Sequence, residues 1–163
     1  MNVDTDHCAA WLRDAGREAK AASAVLAVAP ESQRNHALLA AAASLRANQD
    51  AILAANEEDV AAFQGSCALR DRLLLTPERV AAMARGLEEI AALPDPLARV
   101  LAEWTRPNGL RFRRIASPIG VIGMIYESRP NVGADAAGLC LKSGNAAILR
   151  GGSDGHRSAA AIQ

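Results

Sequence analysis

Apolar and polar residues follow the period of an α-helix along the first two thirds of the chain. In the first segment the apolar residues recur at steps of three and four, on one stripe of a helix that Pro30 stops. They are Leu12, Ala15, Ala19, Ala22 and Leu26. A second helical pattern runs over residues 32–52 with a break near Asn48. A further short helix is predicted to follow, with Asn56 as its N-cap and acidic residues in its first turn.

A strong helix start lies at Thr76. Its hydroxyl is a capping group, Pro77 suits the first helical position, and Glu78 places an acid in the first turn. The apolar face of this helix is predicted to be Val80, Met83, Leu87 and Ile90. Prolines 94 and 96 then end the helical part of the chain.

A β-hairpin is predicted beyond the prolines. The Asn108-Gly109 pair suits a tight turn, and Leu110 and Phe112 alternate with arginines as in a half-buried strand. The arginines are predicted to form the solvated face of that strand; they are Arg111, Arg113 and Arg114.

The last third of the chain has the order β-α-β-α. Residues 117–126 form an apolar run typical of a strand covered on both faces, and residues 146–150 form a second one. Between them, residues 131–143 are predicted to be a helix closed by Gly144, and a further helix begins near Gly155. This order predicts an α/β fold with a parallel sheet and a right-handed crossover. Two strands are too few for a nucleotide-binding sheet, so we interpret the sequence as a fragment.

Composition narrows the class of protein. The chain has 163 residues, half of them hydrophobic, and its 18 lysines and arginines balance 18 acidic residues. No bulk charge therefore favours nucleic acid or an anionic membrane as a partner. Neither a signal peptide nor a membrane-spanning run is evident, which predicts a cytoplasmic protein. The three widely spaced cysteines (Cys8, Cys67 and Cys140) support neither a disulfide framework nor a metal site.

The candidate chemistry lies after the two predicted strands. Residues 126–131 follow the first strand and residues 150–153 follow the second, so both loops are expected at the same edge of the sheet. In the second loop, bare glycine backbone and the Arg150 guanidinium can approach a phosphate closely. The alternative is that Arg150 is a strand-end arginine in water, but its place before two glycines favours the phosphate role. No acidic residue occurs there before Asp154, so no carboxylate of this loop would repel a phosphate group. The usual G-x-G-x-x-G fingerprint is absent.

Two segments, IYESRPNV and CLKSGNAAILRGGS, closely resemble the gamma-glutamyl phosphate reductase family, a branch of the aldehyde dehydrogenase superfamily, and LTPERV is also similar. The resemblance implies NADPH-dependent reduction of L-glutamate 5-phosphate to the 5-semialdehyde in proline biosynthesis, through a thioester on a cysteine. That cysteine is expected in a catalytic domain outside this sequence, so the chain, as the N-terminal portion, is predicted to be inactive alone. A homo-oligomer, specifically a dimer, is also implied, with glutamate 5-kinase as a candidate channelling partner.

An aldehyde-dehydrogenase-like organisation follows from the resemblance. Residues 1–100 are expected to form the helical region of the cofactor-binding domain, residues 101–117 a hairpin arm for oligomerisation, and residues 118–163 the start of a Rossmann-like NADPH-binding sheet. Asn131 is either only the N-cap of its helix or also the donor to the developing oxyanion. The cofactor-binding residues are expected to be Glu127, Arg150, Gly151, Gly152 and Ser153. Because the second loop has no carboxylate before Asp154, NADPH is expected to be preferred over NADH.

Several neighbouring residues have simpler interpretations. Glu127 and Arg129 either pair with one another or line the pocket. Lys142 and Ser143 are predicted at the C-cap and on the solvent face of their helix, whereas Cys140 is predicted to be a small core residue. Gly133 departs from the hydroxyl residue that the family more often has there.

Two alternative functions remain open. The chain is also compatible with part of an aldehyde dehydrogenase that acts on another substrate, because the cofactor half does not define the acyl group. From a different class, it is compatible with a non-catalytic helical interaction module.

Overall fold

Seven helices and four strands make up the described part of the chain. The structure, a computed structural model, describes residues 5–127 and 129–163, with side chains from residue 9 onward. The side chain of Cys8 and the whole of Ser128 therefore lie outside the described residues. The helices are α1 (Thr5–Leu26), α2 (Glu31–Ala47), α3 (Gln49–Ala62), α4 (Cys67–Leu73), α5 (Pro77–Ala92), α6 (Asn131–Lys142) and α7 (His156–Ile162). The strands are β1 (Val100–Thr105), β2 (Arg111–Ile115), β3 (Val121–Ile125) and β4 (Ala146–Arg150). No helix in the described ranges is both long and apolar enough to cross a membrane.

The main hydrophobic core lies where α2, α5 and α6 pack on one another. Its fully buried side chains include Leu38 and Ala42 of α2 and Val80 and Ala84 of α5. The predicted apolar face of α5 is therefore confirmed. By contrast, the main contacts of α1 in the described part of the chain are with the strands β3 and β4, and Leu12 of its predicted stripe is 58% exposed. The first helix exists as predicted, but none of its five stripe residues is fully buried: Leu12 and Ala22 are exposed and the other three are half-buried.

The third helix corrects the prediction for Asn56. The break at Asn48 is confirmed, but α3 then runs without interruption through Asn56, which is buried at 1% exposure. Its amide donates to the Leu73 carbonyl at 2.9 Å and to Ser158 Oγ at 3.0 Å, and its Oδ1 accepts from the Leu75 N–H at 2.7 Å. Asn56 is therefore not an N-cap. It joins α3 to α7 and to the connection between α4 and α5, a role that depends on residues distant in sequence.

The hairpin forms as predicted, but neither of its faces is covered. β1 and β2 pair antiparallel around the turn at Gly109, whose φ of +84° is the left-handed conformation that glycine adopts readily. Every residue of β2 is exposed, so the half-buried strand expected from Leu110 and Phe112 is wrong. Trp104 and Phe112 instead stack on each other across the strands, with ring centroids 5.6 Å apart.

The parallel sheet consists of β3 and β4, joined through α6 as the sequence predicts. Gly144 closes α6 with a φ of +70°, and the following Asn145 accepts a hydrogen bond from the Gly120 N–H at 2.8 Å. This bond ties the helix end to the start of β3. β3 is only partly covered, since Ile125 is 85% exposed, so the expectation of burial on both faces is not met within this chain.

The position predicted for Lys142 on the solvent face of its helix is wrong. Ser143 does cap α6, but Lys142 is 2% exposed and does not face solvent. Its ammonium group donates to Glu31 Oε1 at 3.1 Å, Asn35 Oδ1 at 2.8 Å and the Ala91 carbonyl at 3.0 Å. These acceptors satisfy all three of its donors, which is why a buried lysine is tolerated.

The three hydrogen bonds of Asn56 predict a large effect of its removal. Asn56→Ala leaves a buried carbonyl, a buried N–H and a buried hydroxyl without this partner, so the free energy of unfolding should fall by about 2–4 kcal/mol. Urea denaturation of the purified chain measures this. Asn48→Ala is the control: its amide bonds to Ser44 are exposed, and its loss should stay below about 1 kcal/mol. Equal losses in the two variants would contradict the role given to Asn56.

Candidate functional site

The two predicted loops lie side by side at one edge of the parallel sheet. Ile125 is paired with Arg150 at the carboxyl ends of β3 and β4, and the Tyr126 N–H donates to the Arg150 carbonyl at 3.0 Å. The chain segments beginning at Glu127 and at Gly151 therefore leave the sheet at the same place. Ligands of open α/β sheets bind outside this edge.

The Tyr126 ring lies between Gly133 of α6 and Gly151 of the second loop, and sequence reasoning gave it no role. A Cβ atom at Gly133 would lie 2.9 Å from the Tyr126 hydroxyl, and one at Gly151 would lie 3.3 Å from it. Both glycines thus leave room for the phenol ring, and burial raises the pKa of Tyr126. A hydroxyl residue at position 133 would require this ring to move. The family more often has a hydroxyl residue there, and the glycine of this chain is what allows the Tyr126 ring its position.

Asn131 is the first residue of α6 and not its N-cap. The N-cap position is held by Pro130, and the Asn131 side chain points along the helix, where Nδ2 donates to Asp135 Oδ2 at 3.2 Å. Capping is therefore the wrong interpretation of Asn131. Burial raises the pKa of Asp135, and the hydrogen bond from Asn131 opposes this only in part.

The loop after β4 exposes a guanidinium group. Arg150 is exposed and donates to the Gly151 carbonyl; no ion pair in the described part of the chain includes it. Gly152 has a φ of −67°, which any residue adopts, so its backbone conformation does not itself require glycine. Ser153 is exposed and begins a single 3₁₀ turn that leads into α7.

A cleft of about 410 Å³ opens beside Asn131. It lies between α4, α5 and the start of α6, and its charged and amide side chains are Asp71, Arg72, Arg79, Arg129, Asn131 and Asp135. Sequence reasoning missed Arg72 and Arg79, because on helices with ordinary periodicity nothing distinguishes them from solvated arginines.

Glu127 and Arg129 occupy different positions at the candidate site. Among the ion pairs of the described residues none joins these two, and both are exposed. Arg129 lines the cleft, whereas Glu127 stays at the sheet edge and is not part of the cleft lining. Within the same described ranges, no cluster of three or more His, Cys, Asp or Glu side chains is arranged to hold a metal ion.

Comparison with known proteins points to one family, although no family model matches the chain. The chain is 60% identical to the gamma-glutamyl phosphate reductase of Gluconobacter oxydans, over 98% of this chain and 39% of that protein. For the enzyme of the same name from Acidiphilium cryptum the identity is 58%, over 99% of this chain and 39% of that protein. The chain belongs to the gamma-glutamyl phosphate reductase family. It spans 39% of the length of these two relatives.

Solved structures of the family have the same fold. The crystal structure of gamma-glutamyl phosphate reductase from Thermotoga maritima is 40% identical, with a TM-score of 0.90 over 93% of this chain and 37% of that chain. The corresponding structure from Saccharomyces cerevisiae is 32% identical, with a TM-score of 0.84 over 90% of this chain and 39% of that chain. The mixed α/β fold and the family resemblance predicted from the sequence are confirmed.

Cys140 lies inside this family fold as a core residue. It is 6% exposed in α6, and burial raises the pKa of its thiol. A raised pKa lowers the thiolate fraction at neutral pH, and only the thiolate is a good nucleophile. The prediction that Cys140 is a small core residue is confirmed, whereas Cys67 is exposed at the start of α4.

The raised pKa of Asp135 predicts a pH-dependent stability. A carboxyl whose folded pKa lies above its ordinary value of 3.8 stabilises the fold when protonated, and this contribution is lost as the pH rises through the folded pKa. Asp135→Asn stays neutral and keeps an oxygen to accept from Asn131. The variant should therefore have a higher melting temperature than the parent chain at pH 7, and the difference should shrink on acidification toward pH 4. A difference that grows on acidification would contradict this account.

Proposed function

We propose that this chain supplies part of the active site of an NADPH-dependent enzyme that reduces L-glutamate 5-phosphate to L-glutamate 5-semialdehyde and releases phosphate. The observation that carries the proposal is the convergence of two loops at one sheet edge in a chain 60% identical to a named gamma-glutamyl phosphate reductase. In this proposal residues 1–100 and 118–163 belong to the cofactor-binding domain.

The loop after β4 fits a phosphate group of the cofactor. Arg150 carries a permanent positive charge that is exposed and unpaired with any carboxylate of the described residues, and Gly151 presents backbone without a side chain. We assign Arg150, Gly151, Gly152 and Ser153 to this phosphate, with Glu127 as the polar neighbour on the adjoining loop. When bound, NADPH supplies the hydride for the reduction.

Asn131 is the proposed donor to the acyl oxygen. Its Nδ2 has two hydrogens, of which one donates to Asp135, so the second is available for a substrate carbonyl. As negative charge develops on that oxygen, a donor already held in place stabilises it without reorganisation. Asp135 therefore acts as a positioning residue that fixes the orientation of the Asn131 amide.

The acyl group is proposed to pass through a thioester, as the family resemblance implies. Cys140 does not suit this step because it is buried in the helix core with a raised thiol pKa. Cys67 is exposed but is not among the residues that line the cleft beside Asn131. As the family resemblance implies, the nucleophile is proposed to be a cysteine outside this sequence, and absence of turnover by the chain alone stays a prediction. A cytoplasmic location and channelling with glutamate 5-kinase also stay predictions of the family resemblance.

Substitution of Arg150 tests the cofactor assignment. A charge-assisted hydrogen bond to a phosphate contributes about 1.5–3 kcal/mol, so Arg150→Ala should raise the dissociation constant for NADPH roughly tenfold to a hundredfold. Binding of NADH, which lacks the 2′-phosphate, should change little. Titration of the chain with each nucleotide, followed by nucleotide fluorescence, gives both constants. The control is Arg113→Ala on the exposed hairpin, which should alter neither constant. Equal weakening of both nucleotides by Arg150→Ala would mean that Arg150 holds the loop and does not bind the 2′-phosphate.

We also propose that residues 101–117 form an arm that contacts a second copy of the chain. Among the described strands β1 and β2 pair only with each other, so each has one edge that no described strand pairs, and their stacked aromatic rings remain 47% and 42% exposed at Trp104 and Phe112. A two-stranded hairpin is marginally stable in water unless it packs on something else.

Removing the exposed aromatic of the arm tests this oligomer. The parent chain should sediment as a dimer at micromolar concentration, and Trp104→Ser should shift it toward monomer because the exposed apolar area of the arm falls. Trp11→Ser is the matched control: Trp11 is 62% exposed, but it lies on α1, away from the arm. A monomeric parent chain, or equal dissociation in both variants, would contradict the proposal.

A further inference from the structure

We propose that the cleft beside Asn131 binds the anionic groups of the acyl substrate through Arg72 and Arg129. This inference rests on the proposed function, and it assigns the recognition of an acidic acyl substrate to residues of this chain. The cleft volume, about 410 Å³, falls in the range typical of small-molecule sites. Asn131, the proposed donor to the acyl oxygen, lines the same cleft, so the reacting carbon and the anion site share one space.

Two guanidinium groups of the cleft, those of Arg72 and Arg129, have no counter-ion among the described residues. Arg79 is held by the fold: it donates to Asp71 Oδ1 at 3.1 Å, to the Leu74 carbonyl at 2.7 Å and to the Asp71 carbonyl. The charges of Arg79 and Asp71 therefore neutralise each other. For Arg72 and Arg129 no ion pair or hydrogen bond occurs among the described residues that line the cleft.

The other acid of the cleft offsets little of this positive charge. Asp135 is engaged by Asn131, and its burial raises its pKa, which disfavours the charged carboxylate. Two arginines at one concave surface repel each other unless an anion lies between them, and guanidinium groups match carboxylate and phosphate oxygens in geometry. L-Glutamate 5-phosphate offers both kinds of anion, a carboxylate and a phosphoryl group.

Exposed arginines are also common where no ligand binds, so anion binding by Arg72 and Arg129 requires a direct test. The probe is L-2-amino-5-phosphonopentanoate, which is stable in water and carries a carboxylate and a phosphonate. Titration of the purified chain by calorimetry gives its dissociation constant. Separate titrations with L-glutamate and with inorganic phosphate distinguish carboxylate recognition from phosphoryl recognition.

The variants are Arg72→Met and Arg129→Met, with Arg113→Met on the hairpin as the matched loss of an exposed arginine. Each cleft variant should raise the dissociation constant of the phosphonate about tenfold, since a hydrogen bond to a charged group is lost. Arg113→Met should leave it unchanged. Arg129→Lys should recover part of the affinity, because it keeps the charge but not the paired donors.

Several results would overturn the inference. They are no binding of the phosphonate by the parent chain at about 10 mM, no loss in either cleft variant, or an equal loss in Arg113→Met. The NADPH titration separates this inference from the cofactor proposal. Arg72→Met and Arg129→Met should leave NADPH binding unchanged, and Arg150→Ala should leave phosphonate binding unchanged. A parent chain that binds NADPH but not the phosphonate contradicts this inference alone, whereas one that binds the phosphonate but not NADPH contradicts the cofactor proposal alone.

Discussion

The buried pair of cations at the end of α6 is the constraint on which the rest of the structure depends. Arg34 and Lys142 are 3% and 2% exposed, and the Lys142 carbonyl accepts from the Arg34 guanidinium at 2.6 Å. Arg34 also donates to Asp95 at 2.7 Å, while Lys142 reaches Glu31 and the end of α5. Removing one partner from such a network leaves a buried charge, which typically destabilises a protein by about 3–5 kcal/mol. The network therefore fixes α2, α5 and α6 relative to one another.

The electrostatics of that network are consistent with its packing. Burial alone would raise the pKa of Asp95, but hydrogen bonds from the Leu97 N–H and from Arg34 outweigh it, so the net pKa is lowered. A lowered carboxyl pKa means that the ionised form stabilises the fold at neutral pH and that this contribution is lost on acidification. Arg34 Nε is a buried polar atom with no hydrogen-bond partner in the described part of the chain, so one hydrogen-bond donor of this network is unsatisfied.

The orientation of α6 carries this constraint to the candidate site. At the C-terminal end of the helix, Lys142 and the turn at Gly144 hold it against α2 and the start of β3. Its N-terminal end consequently lies beside the edge where β3 and β4 finish, with Asn131 facing the cleft and Gly133 against Tyr126. One rigid helix thus connects a structural network to a proposed catalytic amide. Of the two glycines beside Tyr126, Gly133 is in α6 and Gly151 is in the loop after β4, so the phenol ring sets the spacing between that loop and this helix.

Local sequence determined the elements of this protein because the signals for them lie within a few residues. Hydroxyl groups, prolines and glycines act locally, and they set the cap at Thr76, the turn at Gly109 and the helix end at Gly144. The family resemblance depends only on the order of amino acids in two short segments. Only the tertiary structure decided the environment of side chains whose partners are distant along the chain. Lys142 is buried because its acceptors come from α2 and α5, and Asn56 is an internal link because α7 packs against α3. The cleft arginines line one cleft for the same reason: packing energies are set by neighbours in space, and periodicity along one helix cannot specify which they are.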